Sequence, residues 1–579
     1  MKISVKYRLK KDETLTEKAL LTILLRNRKI KDIKTFLEPK DPLLLRLTDF
    51  GCGQELKKTL KLMRAIWQAK KSVVVYTDYD ADGITGGAIL WETLHLLGFA
   101  VMPYVPHRQN EGYGFSNRGI DQVNKLYHPA LIISVDHGIT AAEKVKYAKS
   151  LGISVIITDH HLKPAKLPTD AAAIFHISEL SGAGVAYVLA KELYEYFKNF
   201  SKEKPSSLLH LRNHFSGDYL ALASIGAIAD LVPLLGPTRS IVVFGLAACI
   251  KTKRLGLLEI FRQAGILGRK ITPYEVGFII APRINAIGRL THAIDALRLL
   301  CTTSSAKAQA LAGLIGEKNR QRQDLVKTAV AEAKIQVTKK ISTRAGLPKL
   351  IILVSDKWHE GIIGLIAAKI GEEYYRPTIV MTKADGFLKA SARSIPTFHL
   401  TRFLQSLRKY LVDVGGHAGA AGFTIRNDKV KSFISAAQKK AEKQIAKKEL
   451  EKTTEVDIDI PLRHITFKLV RAQEKLQPYG VGNPAPVFIS EAQILATKIL
   501  GKNREHLKFI VKDPKAYSFP VEMMAFGKAE QFAGLSRDQI VKIIYTVGID
   551  RWNGEEKITG RVISCIIPVI HLPSVDTGR

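Results

Sequence analysis

Apolar positions fall into two textures along the chain, and the switches between them divide it. From Ser72 to His161, short β-rich runs alternate with helical stretches: SVVVY (72–76), AVMPYV (100–105), LIISV (131–135) and SVIIT (154–158). That alternation predicts a parallel sheet with helices on both faces. From Ser304 to about Lys340 there is no proline and helix formers dominate, which predicts one long helix connecting two domains. A second α/β unit follows, with strands near LIILVS (350–355) and TIVMT (378–382), the glycine-rich GGHAGAAGF (415–423) and a basic helical stretch ending near Lys452. Beyond it EVDIDI, PVFIS, HLKFIV, QIVKIIYTVGI and KITGRVISCIIPVI read as strands of a small closed or half-closed barrel. The first fifty residues carry Leu and Ile at helical spacing. The expected fold class is α/β: two α/β lobes joined by a long helix, plus a C-terminal β-barrel. The expected segments are 1–50 (helical), 51–302, 303–340, 341–452 and 453–579.

The most membrane-like stretch, Tyr219 to Leu235, is interrupted by Asp230 and Pro233. It falls short of the roughly 20 residues a spanning helix needs, so it predicts a buried helix plus a loop and no membrane association. The start, MKISVKYRLKKDE, has no apolar stretch after its basic residues, so no signal peptide is expected. Cys52, Cys249, Cys301 and Cys565 lie far apart with no C-x-x-C spacing, which argues against a zinc knuckle or a disulfide framework. Thiols in a reducing cytoplasm fit this pattern.

Charge changes the picture. Lys plus Arg is 87 against 54 for Asp plus Glu, a net +33. An excess of that size favours a polyanionic partner, nucleic acid first and anionic membrane second. A general lysine bias on solvated helix faces is the bland alternative.

Against that basic background, three strands end in acid: Asp78 after SVVVYT, Asp136 after LIISV and Asp159 after SVIIT. In open parallel sheets ligands sit beyond the carboxyl ends of the strands, so these residues share one rim. Asp78, Asp80 and Asp82, in TDYDADG (77–83), repel one another when ionised, and hard divalent cations such as Mg²⁺ or Mn²⁺ would neutralise them. A calcium loop is excluded, since its twelfth position would be Ile89 rather than Glu; a plain acidic turn stays open at this point. In TDHH (158–161) the adjacent His160 and His161 point different ways, so one can ligate a metal while the other serves the substrate. Asp230 is a carboxylate inside an apolar stretch; a metal would remove the cost of burying it, and a capping role is the alternative.

Taken together, DYDADG (78–83), VDHG (135–138), DHH (159–161) and ADLVPL (229–234) resemble the four motifs of the DHH phosphoesterase superfamily. EGYGFS (111–116), SGAGVAY (181–187), APRINAIGR (281–289), WHEGIIG (358–364), SARS (391–394), GGHAGAAGF (415–423) and PYGVGNP (478–484) narrow the resemblance to the RecJ family of single-strand exonucleases, in order and across essentially the whole chain. The resemblance implies a DHH domain, a DHH-associated domain and an OB-fold, and hydrolysis of single-stranded DNA from its 5′ end with two Mn²⁺ or Mg²⁺ ions. It implies that Asp80, Asp82, Asp136, His160 and Asp230 hold the metals, with Asp78 at or just behind them and Asp136 bridging. By the same resemblance His161 faces the scissile phosphate and Asp159 orients a histidine. Arg108, Arg283 and Arg289 are implied phosphate clamps. Ser391 and Arg393 are implied to form a 5′-phosphate pocket, with His417 facing the metal cleft. In the barrel, Tyr479, Phe488, Lys502, Arg504 and Lys508 are candidate strand contacts, with an aromatic such as Phe488 more often core than a stacking platform. The family also implies roles in DNA repair and recombination, a monomer, and single-strand-binding protein and a helicase as partners.

Some positions depart from the family pattern. Phe175-His176-Ile177 replaces the usual Asn-Pro, Ala390 stands where a glycine often precedes SARS, and Thr238-Arg239 replaces an Asn-Arg pair. None removes an expected metal ligand. Two other functions compete with this one: a phosphodiesterase of the same superfamily acting on short oligonucleotides or cyclic dinucleotides, and a scaffold that has lost its metals. The barrel and the +33 charge argue against the first, and the complete ligand set against the second.

Overall fold

Val73–Thr77 and Leu131–Val135 are buried at every position. A strand without a polar face must be covered on both sides, and these lie inside a parallel sheet. Its strands are β1 (Val73–Thr77), β2 (Val101–Tyr104), β3 (Leu131–Val135), β4 (Ser154–Asp159) and β5 (Ala173–His176), in the order β2-β1-β3-β4-β5. All neighbours run parallel, so every carboxyl end opens on one rim. The structure is a computed structural model; it describes residues 2–10, 15–108, 110–201, 204–342, 346–384, 386–552 and 554–567.

Helices α1 (Ala81–Leu96), α2 (Gly182–Phe197) and α3 (Asp218–Ala229) pack on one another against this sheet. The membrane-like stretch is α3, buried continuously from Tyr219 to Ile228 and followed by Asp230 as its C-cap. No described helix is long and apolar enough to cross a membrane. Helix α4 (Ala281–Leu290) packs on α5 (Ser305–Ser342), which at 38 residues extends roughly 57 Å. Helix α5 also packs on α6 (Ile363–Tyr374), which covers a second sheet. That sheet has β6 (Ile351–Val354), β7 (Thr378–Ala384), β8 (Phe387–Arg393), β9 (Leu411–Gly416) and β10 (Ala420–Arg426), in the order β9-β10-β8-β7-β6. Only β6 and β7 are parallel; the other pairs are antiparallel.

The chain divides into two units: Lys40–Val232 with Gly236–Lys452, which contains both sheets, and Met1–Pro39 with Pro233–Leu235 and Thr453–Arg579. In the latter, Phe488–Leu500, His506–Lys512, Val521–Ala525, Glu555–Ile566 and Ile540–Trp552 pair in that order, and the last pairs with the first to close a five-stranded barrel. Residues 568–579 of the expected barrel segment lie outside the described residues.

The N-terminal segment differs from expectation. Helix Glu17–Asn27 is present, but the chain opens with a strand, Lys2–Val5, paired in parallel with Thr453–Val456. KISV alternates exposed and partly buried positions, a period of two that the helical spacing downstream obscures. Leu20, Ile23, Leu24 and Leu25 enter the core of the barrel unit with Leu469 and Val470. Residues 1–39 therefore belong with the barrel rather than forming a separate lead-in.

Candidate metal centre

The loop after β1 and the start of α1 place three aspartates within one turn. Asp80 caps α1, its Oδ1 accepting from the backbone N–H groups of Asp82 (3.0 Å) and Gly83 (3.2 Å). The Asp82 carboxylate is clamped from the other side, accepting from Gly182 N (2.7 Å) and Ala183 N (3.0 Å) at the first turn of α2. A helix N-terminus offers unsatisfied N–H groups and partial positive charge, so it fixes this buried carboxylate in place.

Glycine is required where α2 and α3 pass the acids. A Cβ on Gly182 would lie 2.4 Å from Asp136 Cβ, and one on Gly226 would lie 2.4 Å from Asp82 Oδ1. Asp136, just past β3, has left-handed backbone (φ 68°). Such a conformation costs a non-glycine residue about 1–2 kcal/mol and persists only where neighbours enforce it. Here Asp136 N donates to Thr158 O (3.0 Å), and the Tyr113 hydroxyl donates to Asp136 O (3.0 Å).

Three ligand sets converge: Asp78, Asp80 and Asp136; Asp82, His160 and Asp230; and Asp136, His160 and His161, with the ligand atoms of each set within 4.8 Å of one another. His160 Nε2 lies 3.1 Å from Asp136 Oδ1 and 3.3 Å from Asp230 Oδ2. Even so, Asp78 Oδ1, Asp136 Oδ1 and His160 Nε2 are buried without a hydrogen-bond partner. Burial and then neighbouring carboxylates raise the pKa values of Asp78, Asp80, Asp136 and Asp230. Orphaned acceptors, mutual repulsion and an all-oxygen and imidazole donor set are what hard divalent cations resolve, so the residues present fit such ions. Asp136 stands in two of the sets, the arrangement a bridging ligand needs.

Asp159 is not among these ligands. Its Oδ1 accepts from His160 N (2.7 Å) and His161 N (3.0 Å) and lies 2.7 Å from His161 Nδ1, while Oδ2 accepts from Ile139 N (2.8 Å). Burial is the largest single influence and opposes the charging of His161, but the Asp159 hydrogen bond and the charges of Asp159, Asp230 and Asp78 together outweigh it and lift the imidazole to about 9. The ring is thereby fixed, with Nε2 3.2 Å from the Tyr113 hydroxyl.

The expected phosphate contacts divide. Arg289 is half-buried by the rim and donates to Gly361 O (3.2 Å); desolvation first, then Arg108, holds its guanidinium down at about 10. Arg108 lies over the Tyr79 ring at 5.1 Å. Arg393 donates to Ser391 Oγ (3.3 Å), and its pKa is lowered by burial and then by Arg108. His417 is lowered by burial, then by Arg393 and His161, which places it in the same field. Arg108, Arg289, Arg393, Ser391 and His417 therefore form one neighbourhood beside the acids. Arg283 stands apart: it donates to Ile279 O (2.7 Å), and its charged neighbour is Arg320.

In the barrel, Phe488 is fully buried with its ring 6.0 Å from that of Tyr545, so it cannot stack on a base. The Tyr479 hydroxyl donates to Gln473 O (2.7 Å) and its ring packs on the barrel core. Lys508 pairs with Glu522 at 2.7 Å, whereas Lys502 and Arg504 are exposed. Sequence reasoning assigned no role to Tyr113, to Asn285, whose Oδ1 accepts from Ala81 N (2.7 Å), or to the Gly182 and Ala183 amides. The small residues of SGAGVAY directly after a helix N-cap serine were the available signal for the last pair.

A carboxylate-rich two-lobed site on the rim of a parallel sheet defines a DHH-type phosphoesterase. Models of three families match: DHH family, N-terminal domain, over residues 72–212; DHHA1 domain, over 347–443; and RecJ OB domain, over 456–564. The chain is 33% identical over 570 residues to the single-stranded-DNA-specific exonuclease RecJ of Bacillus subtilis strain 168, covering 94% of this chain and 68% of that one. It is 29% identical to the protein of the same name in Escherichia coli K12, covering 93% and 98%. RecJ from Thermus thermophilus, solved in complex with Mn²⁺, superposes with a TM-score of 0.78 at 26% identity, covering 98% of this chain and 80% of that one. The chain belongs to the RecJ family of single-stranded-DNA-specific exonucleases.

Proposed function

We propose that this chain removes nucleotides from single-stranded DNA in the 5′-to-3′ direction, using two divalent ions, Mn²⁺ or Mg²⁺. The observation that carries the reading is the convergence of Asp78, Asp80, Asp82, Asp136, His160 and Asp230 with buried donor atoms left unsatisfied. Asp78, Asp80 and Asp136 would hold one ion, and Asp82, His160 and Asp230 the other, with Asp136 shared. Bound there, the ions would supply an activated water and neutralise charge on the leaving oxygen.

The protein's own groups do the rest. The α2 N-terminus fixes Asp82, and Asp159 fixes His161, whose Nε2, beside the Tyr113 hydroxyl, would donate to a phosphoryl oxygen. Ser391, Arg393 and Arg108 offer a terminal phosphate a hydroxyl and two guanidinium forks, which accounts for starting at a 5′ end. The barrel, matching an OB domain, supports grip on the rest of the strand. By family analogy the setting is cytoplasmic repair and recombination, with a monomer working beside single-strand-binding protein and a helicase.

The test is a digest of 5′-phosphorylated oligonucleotides with Mn²⁺, comparing strands labelled at either end. Immediate release of label from the 5′ end and late release from the 3′ end are expected. Equal attack on duplex, or release beginning at the 3′ end, would overturn the reading.

A further inference from the structure

Tyr274 and Phe278 are 54% and 70% exposed, yet their rings stack on each other with centroids 4.9 Å apart and 27° between planes. They sit four residues apart, one helical turn, where Pro273–Glu275 runs into the π-helical turn Val276–Ile280 and on into α4. Two large rings held to solvent incur a hydration cost that packing inward would avoid. π-turns inside helices often mark functional positions.

Guanidinium charge lies further along the same helix. Arg283 lies one turn further along, and its charged neighbour on α5 is Arg320. Arg322 is disfavoured in its charged form by burial and then by Arg283, and its Nε is buried without a partner. Arg320 pairs with Glu317 at 2.6 Å, and Arg322 donates to Asn319 Oδ1 at 3.0 Å; among the described residues Glu317 is the one carboxylate in an ion pair with any of the three guanidinium groups. Stacked rings with guanidinium groups further along the same helix and on α5 complement unpaired bases on a polyanionic backbone.

We propose that Tyr274 and Phe278 form a base-stacking platform for the single strand on its way to the metal centre, with Arg283, Arg320 and Arg322 holding the adjoining phosphates; this rests on the exonuclease reading above. From Phe278 to Arg289, at the rim, the helix rises roughly 16 Å. At about 3.4 Å or more per nucleotide, a strand crosses that span in about three to five nucleotides. The platform therefore acts on bases on the 3′ side of the next bond to be cut, and a dinucleotide is too short to reach it.

The experiment measures binding of the full chain, in chelator so that no cleavage occurs, to 12-nucleotide strands each carrying one abasic site. Wild-type protein is expected to lose about five- to hundredfold in affinity when the abasic site falls three to five nucleotides from the 5′ end. Y274A/F278A is expected to lose the same factor on the intact strand and show no further penalty at that position. Y274F and F278Y, which keep the rings, are expected to bind as wild type. An abasic penalty of equal size in wild type and double variant, or no penalty at any position in wild type, overturns the platform. Failure of wild type to bind any single strand overturns the exonuclease reading with it, and the end-labelled digest separates the two failures.

Discussion

Gly182→Ala tests the metal centre without replacing any ligand. The added Cβ would lie 2.4 Å from Asp136 Cβ, 2.5 Å from its Oδ1 and 2.6 Å from its Cγ, against 3.4–4 Å for ordinary contact. Asp136 must retreat by about 1 Å, and its left-handed backbone, pinned by Thr158 and Tyr113, leaves the side chain to do it. Overpacking of this kind costs about 1–3 kcal/mol in stability, while a 1 Å misplacement in an active site costs about a hundredfold in rate. Activity should therefore collapse while the protein still folds. Gly184→Ala is the matched control two residues on: its nearest neighbour would be Leu180 Cβ at 3.2 Å, a tight contact well short of the overlap at Gly182 and away from the acids. The assay is nucleotide release from 5′-labelled single strands across a Mn²⁺ titration, with circular dichroism melts to register the fold. G182A should be about a hundredfold slower or need much more Mn²⁺, with G184A near wild type. Wild-type rate and metal dependence in G182A would refute the idea that Asp136 must stand where it does.

Two further outcomes follow from the same electrostatics. The raised pKa values of Asp78, Asp80, Asp136 and Asp230 mean that these carboxyls hold protons more tightly folded than unfolded, so their contribution to stability is greatest below an unfolded value of about 4 and is lost as pH rises through the folded values. Ions that replace those protons should therefore raise the melting temperature more at pH 8 than at pH 5, which melts with Mn²⁺ and with chelator would register; a gain independent of pH would count against the site. Arg393→Ala should raise KM severalfold for 5′-phosphorylated strands and little for 5′-hydroxyl strands, and equal losses on both would argue that Arg393 serves packing between β8 and α6 instead.

How much of this was legible depended on whether a signal was local. Asp78, Asp136 and Asp159 could be placed on one rim because each follows a short apolar strand, and parallel strands share a carboxyl end. The division of labour at DHH was also local, since Asp159 reaches only the two histidines beside it and the loop at Ile139. The clamp on Asp82 was not legible: its donors lie 100 and 101 residues away, and nothing in TDYDADG says which helix end will meet it. The barrel left its aromatics open for a different reason. In Phe488–Leu500 alternate residues face inward, but alternation does not say which set is inside, and closure against Ile540–Trp552 buries Phe488. An aromatic in a β run is therefore weak evidence of a base-binding face, whereas the Tyr274–Phe278 pair lies on a helix that could have turned its rings inward. Exposure retained against the hydrophobic effect, with guanidinium groups that repel one another further along that helix and on α5, marks a surface shaped by what it binds, and only the folded chain reveals it.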